Sequence, residues 1–207
     1  MIEAAGADLQ PSPTSKPFTL RVTGERAFFP RPEFRLDRVS FDVITPRAAR
    51  GIFDAIHWRP SIRWTVERIR INAPIVRRTL HQGAGGGAGR TVILVDVDYS
   101  IDARLTLLSG RSETETLAEH AAMFARRTRK PRPGTKLYLG RPDFIAQVEA
   151  VGSDDSACAP YGAKELDLGW LPFDHSYDDD SGQAYFHAVA RAGAIEIPAA
   201  NAEDLFA

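Results

Sequence analysis

A single cysteine, Cys158, is all that the 207 residues hold. It excludes an intramolecular disulfide framework and suits a reducing cytosol. No apolar run approaches the ~20 residues of a membrane-spanning helix. The first sixteen residues lack an apolar core and carry Glu3 and Asp8, so they read as a loose tail and not as a signal peptide. The Gly/Ala run from Gln82 to Gly89 is followed by strand-like sequence where a dinucleotide fingerprint needs a helix, and no Gly-Lys-Ser/Thr follows it. It reads as a flexible linker or hairpin tip.

What is present is an ordinary apolar share, 43%, and enough chain for one good-sized core or two small ones. The formal net charge of −1 conceals a split. From Phe18 to Arg141 there are 23 Lys and Arg against 12 Asp and Glu, a net of +11; from Pro142 to Ala207 there are 2 against 13, a net of −11. A basic part of that size suggests a polyanionic partner. The plainer alternative is two charged faces neutralising each other within one fold.

The most informative stretch runs from Phe41 to Pro60. Phe41 to Ile44 reads as strand. Thr45 can cap the free amides of a first helical turn, and Pro46 suits the first helical position. Ala49, Ile52, Phe53 and Ile56 share one helical stripe, with Arg47 and Arg50 opposite. His57, Trp58 and Arg59 crowd together before Pro60, which should end the helix. An imidazole, an indole and a guanidinium at one helix end can move protons, stack on bases and grip phosphate, which points toward RNA.

Along the rest of the chain, Phe18 to Val22 reads as a first strand and Arg26 to Arg38 as a loop. Ile62, Trp64 and Val66 alternate with polar residues; the phase then flips to Ile69 and Ile71, which predicts a bulge near Arg68. Val95 to Leu107 alternates cleanly and predicts one buried and one wet face. Ser112 to Lys130 reads as a second helix with Leu117, Ala121 and Phe124 on its apolar stripe, acids early and bases late. Lys136 to Gly140 and Phe144 to Val151 are strand-like around a Gly-Arg-Pro turn. Leu168 to Leu171, Tyr185 to Ala190 and Ile195 to Pro198 suggest a small β unit with Asp178 to Gly182 as a turn. The expected class is therefore α+β: a ferredoxin-like (RRM-like) βαββαβ domain at 18–151, a small acidic β-rich appendage at 152–198, and tails at 1–17 and 199–207.

Several motifs carry a resemblance in order: Arg21-Val22-Thr23-Gly24, Val39 to Pro46, Ala48 to Ile52, Ala55 to Pro60, Ile62-Arg63-Trp64, His120 to Arg127, Tyr138 to Phe144, Leu166 to Gly169 and Gly193 to Pro198. The chain resembles CRISPR-associated family five of subtype I-C (Cas5, Dvulg type), in the RAMP superfamily. The resemblance implies a metal-independent endoribonuclease that binds the CRISPR repeat and cuts precursor RNA. It further implies retention on the crRNA 5′ handle within the Cascade complex, beside the backbone, large and small subunits, meeting target DNA only indirectly. No cofactor, metal or membrane is implied, and the expected location is cytoplasmic.

Such cleavage needs a base for the 2′-hydroxyl, an acid for the leaving 5′-oxygen and cations for the phosphate, and leaves a 2′,3′-cyclic phosphate. His57 is the first candidate and His120 the second; each has a plainer reading, as a capping residue and as a buried core histidine. The RNA-binding candidates are Arg47, Arg50, Trp58, Arg59, Arg126, Arg127, Arg129, Lys130 and Arg132, with Phe124 a possible base platform. Trp58, Trp64 and Phe124 are each more simply core. Relatives carry lysine where this chain has Glu119, a Gly-Gln-Cys-Phe-like segment where it has Lys130 to Lys136, and Arg-Arg-Asn-Glu-Val where only Arg77-Arg78 remains. These departures leave binding better supported than cutting, so the alternative is a catalytically silent subunit that caps the guide 5′ handle. A third reading, a metal-dependent hydrolase built on Asp174, His175, Asp178, Asp179 and Asp180, competes with an exposed turn.

Overall fold

A computed structural model describes residues 12–34, 37–81, 90–108, 114–152, 160–174, 184–200, 202–203 and 205–206. These form a mixed, mostly antiparallel sheet with two helices. In chain order the elements are β1 (Phe18–Ala27), β2 (Arg38–Val39), α1 (Pro46–Ile56), β3 (Ile62–Ile71), β4 (Val76–His81) and β5 (Arg90–Leu107). Then come α2 (Leu117–Arg129), β6 (Gln147–Val151), β7 (Glu165–Pro172), β8 (Tyr185–Arg191) and β9 (Ala194–Glu196). The strand order is β6-β1-β5-β3-β9-β8-β7, with β2 and β4 also pairing β5. Among the described residues only the β2–β5 pair is parallel.

β5 organises the sheet because it has 18 residues, about three times a common strand length. Its first part pairs β4 and β2, and the remainder lies between β1 and β3. The alternation from Val95 to Leu105 holds on the buried side. The side predicted wet is corrected in its middle, where Ser100 and Asp102 are buried. They sit in a polar network: Thr19 donates to Asp102 at 2.7 Å, Arg70 to Asp102 at 3.1 Å, and Asn72 to Ser100 at 2.8 Å. Buried polar groups persist where they are hydrogen-bonded in this way. The phase flip in β3 is a register shift between Val66 and Arg68, as the pattern predicted.

Both helices lie on the Trp64 face of the sheet. Phe53 of α1 and Phe124 of α2 stack with centroids 5.6 Å apart, and each packs on Trp64. Phe18 closes the cluster edge-on to Trp64 and Phe124. The stripe Ala49, Ile52, Phe53 and Ile56 is buried as expected. Thr45 caps α1 by accepting from the Ala48 amide, with Pro46 in the first turn.

Other expectations are corrected. Phe41 to Ile44 is not a strand: Phe41, Val43 and Ile44 are all buried, a packing that period-two alternation cannot supply. α1 ends at Ile56, before the proline effect of Pro60 applies, because His57 turns extended. α2 starts at Leu117; Ser112 lies outside the described residues. Before β6, the strand-like pieces pair only through the Tyr138–Ile145 bridge. β2 and β4 add to the expected strands, since neither shows a period-two burial pattern. The tails are tied down where they are described: the amide of Ser15 bonds Leu105 at 2.8 Å, and Tyr185 and Phe206 exchange backbone bonds of 2.7 and 2.9 Å. The Gly/Ala run at 82–89 joins the antiparallel pair β4–β5 and lies outside the described residues.

Gly24 and Gly140 show why two of the resemblance motifs need glycine. A Cβ on Gly24 would stand 2.3 Å from a methyl of Leu139. Gly140 has φ +85, and a Cβ there would stand 1.8 Å from the carbonyl oxygen of Phe28. The 138–144 turn is thereby held against β1, with the Phe28 amide bonded to Leu139 at 3.0 Å.

Candidate functional site

The end of α1 meets the start of α2 at two imidazoles. Nε2 of His57 lies 3.0 Å from Nδ1 of His120, and both rings are buried, at 2% and 5% exposure. On the far side of His57, Nη1 of Arg127 is 2.6 Å from Nδ1. Beyond His120, Nε2 faces Glu115 Oε2 at 3.5 Å, and the Ser61 hydroxyl donates to the same oxygen in a very short contact. The indole of Trp64 donates to the His57 carbonyl at 2.9 Å, which fixes the turn that carries the ring.

The arrangement dictates the proton positions. A guanidinium only donates, so Nδ1 of His57 accepts and its proton sits on Nε2. Nε2–H of His57 then donates to Nδ1 of His120, and the proton of His120 sits on Nε2, facing Glu115. Both acceptor nitrogens are engaged. Burial, followed by the charges of Arg127, His120, Arg59 and Arg132, lowers the pKa of His57 from 6.5 to about 4. The ring is therefore neutral near pH 7.

Arg127 is itself buried, and burial followed by repulsion from Arg132, Arg59 and Arg126 lowers its pKa. Four guanidiniums thus converge on this end of α1. Among the described residues no carboxylate pairs with Arg59, Arg126, Arg127 or Arg132. Arg126 donates to the sulfur of Met123 and Arg127 to the His57 ring and the Ile56 carbonyl. Glu115 offsets Arg59 in part, and the remaining positive charge suits phosphate.

Not every sequence candidate stands at this site. Arg50 is buried and ion-paired with Asp174 at 3.0 Å and Asp54 at 3.7 Å, so it is a core cation and is corrected as a phosphate contact. The same pair uses Asp174, while His175 and Asp178 to Asp180 lie outside the described residues. Among the described residues no group of His, Cys, Asp and Glu could hold a metal. Arg127 is likewise corrected from a surface contact to a buried partner of His57. Phe124 and Trp64 are core, whereas Trp58 is 51% exposed and open to stacking. Arg47, Arg59, Arg126, Arg129, Lys130 and Arg132 are exposed. Glu119 is the third residue of α2 and completes a capping box: its carboxylate accepts from the Thr116 amide at 3.0 Å. Sequence reasoning missed Ser61 and Glu115, whose roles arise from contact across 54 positions.

Residues 18–196 match the family model Cas_Cas5d, described as CRISPR-associated protein (Cas_Cas5). A relative from Mannheimia succiniciproducens is 30% identical, covering 90% of this chain and 96% of its own. One from Thermus thermophilus is 31% identical, covering 90% and 93%. Both are named CRISPR pre-crRNA endoribonuclease Cas5d. Among solved structures, a crystal structure of a CRISPR-associated protein aligns with TM-score 0.80 at 24% identity, over 95% of this chain and 99% of that one. A functionally uncharacterized protein from Streptococcus mutans aligns with TM-score 0.77 at 21% identity, over 95% and 100%. At those identities the two structures show the fold.

Proposed function

The chain belongs to the CRISPR-associated Cas5d family, and on that premise we propose that it binds CRISPR repeat RNA, cuts precursor crRNA without a metal, and stays on the 5′ handle as a Cascade subunit. The observation that carries this reading is the Arg127 guanidinium bonded to the buried His57–His120 pair, with Arg59 and Arg132 close enough to act on His57 and Arg126 on Arg127. The exposed Arg47, Arg129 and Lys130 extend the cationic surface, and Trp58 offers a ring to an unpaired base. Its partners are the backbone, large and small subunits, in the cytoplasm.

In the cleavage step the 2′-oxygen bonds to phosphorus as the P–O5′ bond breaks. The 2′-proton goes to a base, and O5′ takes a proton from an acid. In this reading His120 is the acid, through an Nε2–H that is buried against Glu115 and has to be uncovered by the RNA, with His57 orienting it and the guanidiniums steadying the phosphorane. The reading of 18–151 as a ferredoxin-like domain is supported by the order β6-β1-β5-β3, with α1 between β1 and β3 and α2 between β5 and β6 in the chain. The appendage reading of 152–198 is supported by β7, β8 and β9 joining that sheet at β3.

A specific observation favours the second reading, a subunit that caps the guide without cutting it. Both acceptor nitrogens of the pair already accept, so neither ring takes the 2′-proton without breaking one of those bonds. Incubation with the host's repeat RNA in excess chelator separates the two. One cut with a 2′,3′-cyclic phosphate end, lost in His120→Ala, establishes the nuclease. Salt-sensitive binding with no cut establishes the cap, and neither binding nor cutting removes both.

A further inference from the structure

A groove of about 840 Å³ opens along the exposed side of α1, away from the histidine pair. Its floor is apolar, with Phe41, Ile52 and Phe173. Three cations, Arg47, Lys136 and Arg141, line it, and among the described residues no carboxylate does. Tyr138 stands in its wall, 37% exposed. A second cavity of about 220 Å³ shares Lys136 and Leu137 with the first and ends on Ile56, Arg127 and Arg132. The Tyr138–Ile145 bridge lies between the two, one residue in each wall.

The charge pattern selects the occupant. Arg141 is paired with Asp143 at 2.9 Å, but among the described residues Arg47, Lys136 and Arg132 face no carboxylate. Nε of Arg127, buried beside the second cavity, has no hydrogen-bond partner among them. Apolar rings below and unneutralised cations at the rim complement a strand with flat bases and regularly spaced phosphates. An apolar protein segment would leave those cations without partners.

We propose that the two cavities form one track for unpaired RNA, with bases laid on the apolar floor beside Tyr138 and phosphates passing Arg47, Lys136 and Arg132 toward the His57 end. This rests on the RNA-binding reading above and adds to it the path of the strand and two residues, Tyr138 and Lys136, outside the sequence candidates.

The test measures binding of labelled oligouridine and of the host's repeat RNA to the full chain, as wild type, Gly51→Trp, Lys136→Ala and Tyr138→Ala. Gly51 lies in the groove wall, and a Cβ there meets nothing within 4 Å, so a large side chain can leave α1 into the track without a clash at its root. Gly51→Trp and Tyr138→Ala are expected to weaken oligouridine binding about tenfold or more. Lys136→Ala is expected to reduce the salt slope by about 0.7. Lys164→Glu, a larger charge change at a residue that lines neither cavity, serves as the control and melting temperatures monitor folding. If wild type binds both RNAs and the track variants bind them equally well, the track is overturned and a protein occupant takes its place. If wild type binds neither RNA, the RNA-binding reading itself falls, and the track with it.

Discussion

His57 and His120 are 63 positions apart in the chain, yet their facing nitrogens are 3.0 Å apart. Each ring comes from the end of a helix, and the helices meet because Phe53 and Phe124 stack over Trp64. Arg127, one helical turn beyond Phe124, reaches back to the other side of His57. The aromatic cluster that closes the core therefore also sets the proton positions at the pair.

Stability is expected to fall as acid enters the His57 range. The folded pKa, about 4, is below the unfolded value near 6.5, so the unfolded chain binds more protons between them. The contribution is complete above pH 6.5, declines as pH falls toward 4, and is about 3 kcal/mol in all. Urea unfolding from pH 7 to pH 4 should show this slope in wild type and lose most of it in His57→Gln. An equal slope in both proteins would assign the acid sensitivity elsewhere.

Arg127→Met is expected to free the His57 tautomer and to raise its pKa, since removing a neighbouring cation favours the imidazolium. Burial is the larger cause and persists, so the value stays below 6.5. Nitrogen-15 NMR of the ring reads both effects. An unchanged tautomer with protonated Nε2 would mean that Arg127 does not set it.

Glu119→Lys, the residue that the family resemblance implies at this position, is expected to destabilise α2 by about 1 kcal/mol through loss of the capping box. Glu119→Gln keeps the box and should melt within about a degree or two of wild type. If lysine also introduces or accelerates RNA cleavage, the cationic role has been traded here for helix capping. Equal melting of both variants would deny the cap.

Phe124→Ala is expected to cost about 3–5 kcal/mol, because the ring is fully buried among Phe18, Phe53 and Trp64. His57 and His120 should separate with it, seen as a rise of the His57 pKa in the same variant. Gly140→Ala should lower the melting temperature by several degrees, from a φ of +85 and the clash with the Phe28 carbonyl. A melting temperature equal to wild type would show that the turn relaxes at no cost.

The local elements were legible where one periodicity governed a segment. The α1 stripe, the bulge in β3 and the alternation of β5 follow from spacing alone, because each has one face against the core. Phe41 to Ile44 misled because apolar residues buried in succession resemble a strand when only their hydrophobicity is read. Arg50 misled for the opposite reason: helical position puts it opposite the core stripe, but Asp174, 124 positions later in the chain, folds over it. The Glu119 departure looked like the loss of a cation and is, locally, a helix cap.

From the sequence by itself came the helix with its cap, the basic half, the two histidines as candidates and the family pattern, because these rest on neighbours in the chain or on spacing within one element. Only the tertiary structure decided that the histidines touch, that burial, with Arg127 second, keeps His57 neutral, that Arg50 pairs with Asp174 and that Trp58 stays outside. Those outcomes depend on distances between residues far apart in sequence, and on desolvation that no residue type carries alone.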